Sequence, residues 1–151
     1  MSRPEKRNAK RKHREEILSR DFRIESIKQS VGIGVHHARG EAPFLDPHSW
    51  IEARGRFDEP LRDITEVEIS VYPDPNADVA PGPPPCVGAI IRLKPTVLVV
   101  VPFTVQEFER LWVLATVSAI RRGHVAFTAP YWNRSLVVNL GFSTSQTAED
   151  E

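Results

Sequence analysis

Hydrophobic and polar positions alternate with period two over much of the chain's middle. In "WIEARGRF" (50–57), Ile51, Ala53, Gly55 and Phe57 share one side, while Glu52, Arg54 and Arg56 take the other. That spacing predicts a strand with one wet face. "EVEISVY" (66–72) repeats the device with Val67, Ile69 and Val71 inward. In "SVGIGVHHARG" (30–40), Val31, Ile33 and Val35 alternate with small residues, which predicts another strand, its partner undefined. A loop carrying Pro43 and Pro47 separates it from Trp50. Further on, "VGAIIRL" (87–93) and "TVLVVV" (96–101) flank Lys94-Pro95. The second run is apolar on both sides of the pleat, as expected of a central strand covered on both faces. Near the C-terminus "HVAFTA" (124–129) and "SLVVNLGFS" (135–143) predict two more strands, the latter with Leu136, Val138, Leu140 and Phe142 toward the core.

The period changes to that of a helix in "TVQEFERLWVLATVSAIRRG" (104–123). Thr104 and Glu107 form a capping box. Val105, Phe108, Leu111, Trp112, Ala115 and Ala119 make an apolar stripe. Arg121 and Arg122 suit the negative end of a helix dipole, and Gly123 suits a left-handed stop. The pattern predicts a helix from about 105 to 122. Residues 15–30 fit neither period cleanly: Leu18 and Phe22 are helix-spaced, whereas Phe22 and Ile24 alternate. They are read as a frayed helix. Between the strands lies "PDPNADVAPGPPPC" (73–86), where six of fourteen residues are proline, which excludes regular structure there.

These elements predict an α+β, β-rich domain. It has a five- to six-stranded, mainly antiparallel, sandwich-like sheet and one helix. A lone helix covers one sheet face, so the other needs a second layer, the segment 18–35, or another copy of the protein. The expected organisation is a leader over 1–28, disordered or a frayed helix, one globular domain over 30–144, and a polar tail over 145–151.

Charge adds an asymmetry. The formal net charge of the 151 residues is zero, yet residues 1–28 hold ten Lys/Arg against five Asp/Glu, and the remainder holds ten against fifteen. The run "EKRNAKRKHREE" places Lys6, Arg7, Lys10, Arg11, Lys12 and Arg14 together as candidate contacts to nucleic acid or another polyanion through residues 1–16. Aromatic interleaving is missing before Phe22, and no RNA-recognition or zinc-finger spacing is present. One cysteine, Cys86, excludes an internal disulfide framework and fits a reducing, cytoplasmic setting. The longest apolar run, residues 97–103, is far short of a membrane-spanning helix, so no membrane contact is expected.

Candidate chemistry is sparse. His36 and His37 are adjacent and would point to opposite faces of a strand, so neither they nor His48 predict a metal site. Gly32-Ile33-Gly34 lacks the third glycine, the Lys-Ser/Thr pair and the capped helix of a phosphate loop. Cys86 has no charged sequence neighbour to activate it and is read as a small buried hydrophobe. Asp58-Glu59 and Glu66/Glu68 are read as solvated charge. No catalytic constellation, metal site or cofactor is predicted. The loop "APYWNRS" (129–135) offers Tyr131, Trp132, Asn133 and Arg134 as partner-binding anchors. Connectivity would add Arg121 and Arg122, with His124, at the same sheet end. The leading reading is therefore a non-catalytic protein-interaction or regulatory module, binding a protein partner or itself. A nucleic-acid-associated protein using the basic arm is second, and an enzyme assembled from distant residues is third.

Overall fold

The computed structural model describes residues 16–79, 82, 85–131 and 134–145. Among them are seven strands, β1 (Ile17–His36), β2 (Phe44–Leu61), β3 (Ile64–Pro73), β4 (Gly88–Arg92), β5 (Val97–Phe103), β6 (Arg122–Thr128) and β7 (Ser135–Ser143), with one helix, α1 (Val105–Thr116), between β5 and β6. The strands close into a barrel in the order β1-β2-β3-β5-β4-β7-β6, and β6 pairs back onto β1. A closed ring with an odd number of strands cannot be antiparallel throughout. The one parallel contact falls between β3 and β5, because the β4–β5 hairpin folds back so that β5 lies beside β3.

The alternation read in β2 and β3 is realised: Ile51, Ala53, Phe57, Val67, Ile69 and Val71 are all in the core. Val97, Val99 and Val101 of β5 join them, with Val125, Phe127 and Val137. α1 leaves the end of β5 and crosses the barrel mouth against β1, β3 and β5. Phe108, Leu111 and Ala115 close that mouth. No described helix is long and apolar enough to cross a membrane.

The sandwich-like sheet of five or six strands is corrected to this seven-stranded barrel. The reason is β1. Residues 17–30 are strand rather than frayed helix, and they run without a break into the strand expected over 30–40. Glu25 is an extra residue between Ile24, opposite Gly55, and Ser26, opposite Arg54. That bulge moves the inward set from Phe22 and Ile24 to Ile27 and Gln29, which scrambles the period-two signal. Closure also removes the need for a second layer. The inner residues of β5 are fully buried, whereas Leu98 and Val100 lie half-buried on the outer wall.

Two further expectations shift for related reasons. In β7 the pairing slips by one between Ala126 and Phe127, so Val137 and Ser135 replace Val138 and Leu136 inside while Leu140 and Phe142 stay inward. The helix ends at Thr116, not 122. Ser118 adopts φ 55°, its N–H bonds Ala115 O at 3.0 Å, and Ala119 N–H bonds Leu114 O at 3.0 Å. This is a Schellman stop with serine in the place glycine usually takes. Arg122 and Gly123 therefore begin β6, with Arg121 just before it.

Candidate functional site

β1 and β2 outrun the barrel. The β1–β6 pairing ends at Arg23, and the β2–β3 pairing begins at Ile51. Beyond Ser30 opposite Trp50, among the described residues, the two strands pair only with each other as far as His36 opposite Phe44. Six residues at ~3.3 Å each make a two-stranded ribbon that projects roughly 20 Å. Its turn carries a Glu41 N–H to Ala38 O bond of 3.0 Å and Gly40 at φ 85°. Pro47, expected in a loop, lies within β2 opposite Ile33.

The two ribbon faces differ because the register holds them apart. The face continuous with the barrel interior presents Val31, Ile33 and Val35, opposite Ser49, Pro47 and Leu45. Val31, Ile33, Val35 and Leu45 are 76, 65, 70 and 68% exposed. The other face carries Trp50, His48, Asp46 and Phe44 opposite Ser30, Gly32, Gly34 and His36. There the His48 ring occupies the space above Gly32, where a Cβ would come within 2.6 Å of it. His36 and Phe44 meet at 5.0 Å with their rings tilted by 43°, and Trp50 meets Tyr72 at 5.0 Å at the base. Gln29, the last inward residue before the ribbon, ties it to the helix: its Nε2 donates to Trp112 O at 3.1 Å and to Thr116 Oγ1 at 3.0 Å. Val113 and Val117 of the same helical end are exposed.

On the far side of α1 lies a cleft of about 830 Å³ between the helix, the β3–β4 loop and β7. Leu111, Leu114, Leu140 and Phe142 give it apolar walls, and Cys86, half-buried, lines it. Asp74, Asp78 and Glu107 stand at its rim, with Glu107 bonded to Arg110 at 2.8 Å. No histidine is among the described residues that line it. His124 sits instead on the outer wall, with Nδ1 2.7 Å from Asp21 Oδ1. Arg122, almost wholly buried, pairs with Asp58. Glu66 and Glu68 are ion-paired to Arg56 and Arg54 across the outer wall. Among the described residues no group of His, Cys, Asp and Glu is placed to hold a metal ion.

The predicted partner-binding set is not brought together. Arg121 and Arg122 stand at the entry of β6, whereas Tyr131 and Arg134, bridged by N–H to O bonds of 2.9 and 3.0 Å, lie beyond its exit. The seven residues of β6 separate them by roughly 20 Å. Trp132 and Asn133 lie outside the described residues, as do Lys6, Arg7, Lys10, Arg11, Lys12 and Arg14. The ribbon's exposed face is not among the candidate sites that the sequence predicts. Its signal was there in the alternation of Val31, Ile33 and Val35, but alternation separates two faces without saying what covers either. Compared with protein-family models, curated proteins and solved structures, the chain matches none.

Proposed function

We propose that this protein is a cytoplasmic, non-catalytic protein-interaction module in which the barrel is the scaffold and the β1–β2 ribbon the contact element. The observation that carries the reading is the exposed aliphatic face of Val31, Ile33, Val35 and Leu45, on an arm flanked by neither β3 nor β6. A contiguous apolar patch of this kind marks an interaction surface more often than a scattered exposed residue does. Covering each of the four side chains is worth roughly 1–2 kcal/mol, so about 4–8 kcal/mol together. That is comparable with the association cost of ~4–15 kcal/mol. Ribbon charge is nearly balanced, with Arg39 against Glu41 and Asp46, which suits a protein surface better than a polyanion. The basic run over residues 1–16 is assigned an accessory contact.

The test is co-purification from the native host with the quadruple variant V31T/I33T/V35T/L45Q beside the parent chain. Proteins captured by the parent, including an untagged copy of the chain, are expected to disappear with the variant while its melting temperature stays close to the parent's. Capture that survives the four substitutions would rule the ribbon out as the contact element.

A further inference from the structure

We propose that the ribbon's occupant is a second copy of this chain, joined by antiparallel pairing of the two β1 edges about a twofold axis at Ile33. This rests on the reading of the ribbon as the contact element and adds both the partner and the register. From Ser26 to His36, β1 is paired along one side, by β2. On its other side, among the described residues, the bond from Ile24 N–H to Arg121 O is the last before the ribbon. Sheet edges are ordinarily blunted with charge or proline. From Gln29 to His36 this edge has neither, whereas β2 carries Asp46 and Pro47 along the ribbon. Among the described residues, one edge is guarded and the other is left open.

The sequence of the open edge points to the occupant. Val31-Gly32-Ile33-Gly34-Val35 reads the same in both directions. Antiparallel pairing about Ile33 sets Val31 against Val35 of the second copy, Gly32 against Gly34, and Ile33 against Ile33. Ser30 then faces His36 and Gln29 faces His37, so no like charges oppose. Such self-matching is what an isologous twofold contact requires, and an unrelated strand gives no reason for it. Backbone geometry agrees. Pro47 has no N–H to give, so the pair Ile33–Pro47 suits the non-hydrogen-bonded type, in which Ile33 N–H and C=O point away from β2 toward the open edge. Val31 and Val35, two residues to either side, repeat that orientation, and the three residues of each copy would exchange about six hydrogen bonds.

The twofold also gathers the two aliphatic faces, whose side chains then flank one another across the seam. It keeps Val31, Ile33, Val35 and Leu45 of both copies on one side of a four-stranded sheet, a better-supported unit than an isolated ribbon. With His37 of the second copy beside Gln29, each ribbon tip reaches the mouth of the other barrel. Gln29 grips the end of α1 there, and Val113 and Val117 are exposed to receive Val35 and Leu45 of the second copy.

Cysteine cross-linking of the purified 151-residue chain reads the register directly. In a Cys86→Ser background, Ile33→Cys places two thiols on the axis, with Cα atoms about 5.5 Å apart, within disulfide reach. Val31→Cys alone places them about four residues, or ~14 Å, apart. Mild oxidation is expected to convert I33C to a covalent dimer and to leave V31C uncross-linked, while an equimolar mixture of V31C and V35C cross-links. In sedimentation equilibrium, Ile33→Lys is expected to weaken the dimer at least ~100-fold by setting two ammonium groups face to face. A parent chain that stays monomeric at every concentration, or V31C cross-linking as readily as I33C, would overturn the proposal. If the monomer still captures another protein through the ribbon, the second copy falls and the interaction reading stands. If ribbon substitutions leave capture of other proteins unchanged while I33C cross-links, the ribbon serves self-association and the other partners dock elsewhere on the chain.

Discussion

Gly123 shows how tightly one residue position can be set by its neighbours. It lies in β6 opposite Phe22 of β1, and the Phe22 ring occupies the space where a side chain would begin. A Cβ at 123 would fall 2.2 Å from that ring, well inside any van der Waals contact. Phe22 cannot easily give way. It is fully buried and holds edge-to-face contacts with Phe57 and Phe142, each at 6.4 Å between centroids. Gly123→Ala is therefore expected to destabilise the barrel by about 1–3 kcal/mol, the usual range for overpacking a filled core. Urea unfolding followed by far-ultraviolet circular dichroism measures it, and a midpoint that does not move would show that the β1–β6 seam is looser than this packing implies. In the sequence this glycine looked like a helix stop. Its actual role depends on a phenylalanine 101 positions earlier in the chain, a distance at which local pattern carries no information.

At the scale of elements, α1 has one good end and one improvable end. Thr104 Oγ1 accepts the Glu107 N–H at 3.2 Å, so the N-terminus is capped as the Thr-x-x-Glu spacing predicts. The other end relies on Ser118 at φ 55°, a conformation that favours glycine. Ser118→Gly is expected to raise stability by about 0.5–1 kcal/mol, seen as a higher urea midpoint with unchanged slope. A lower midpoint would mean that the glycine's greater freedom in the unfolded chain outweighs the relief of strain. The same position explains why the helix looked six residues too long. No glycine or proline marks its end, and Ala119 continues the apolar spacing past it. Strands β2 and β3 were legible because residues 51–57 and 67–71 alternate without interruption, and β5 because its short apolar run ends at a proline on either side. β7 was legible as a strand over 135–143, as was the outer part of β1. Which residues of β1 and of the first half of β7 face inward was not, because one extra residue in each inverts the facing on one side of it. Part of the candidate site was legible as well: Val31, Ile33 and Val35 were recognisable as one side of a strand, but not as its exposed side. Whether such a face is buried depends on where β3 and β6 stop pairing, which β1 does not encode.

For the whole molecule the division of labour, among the described residues, is between a closed barrel, whose strands all have two neighbours, and an arm whose strands have one. The barrel's buried cluster runs from Phe22 to Val137 and includes none of Val31, Ile33, Val35 and Leu45. Its stability should therefore be nearly independent of the ribbon. Ser30 and Trp50 stand directly opposite each other at the ribbon's base, so residues 31–49 can be replaced by Asn-Gly, a two-residue connection suited to an antiparallel hairpin. Gln29 keeps its bonds to Trp112 and Thr116 across this change. The shortened chain is expected to unfold cooperatively within about 4 °C of the parent in scanning calorimetry, a shift equivalent to roughly 1 kcal/mol for a domain of this size. Such independence is what a contact element mounted on a rigid scaffold requires, since the arm can then be shaped by what it meets and not by what it holds together. A large fall in melting temperature would reverse this assignment: the aliphatic face would then be serving the barrel itself, and the projecting strands would belong to its structural core.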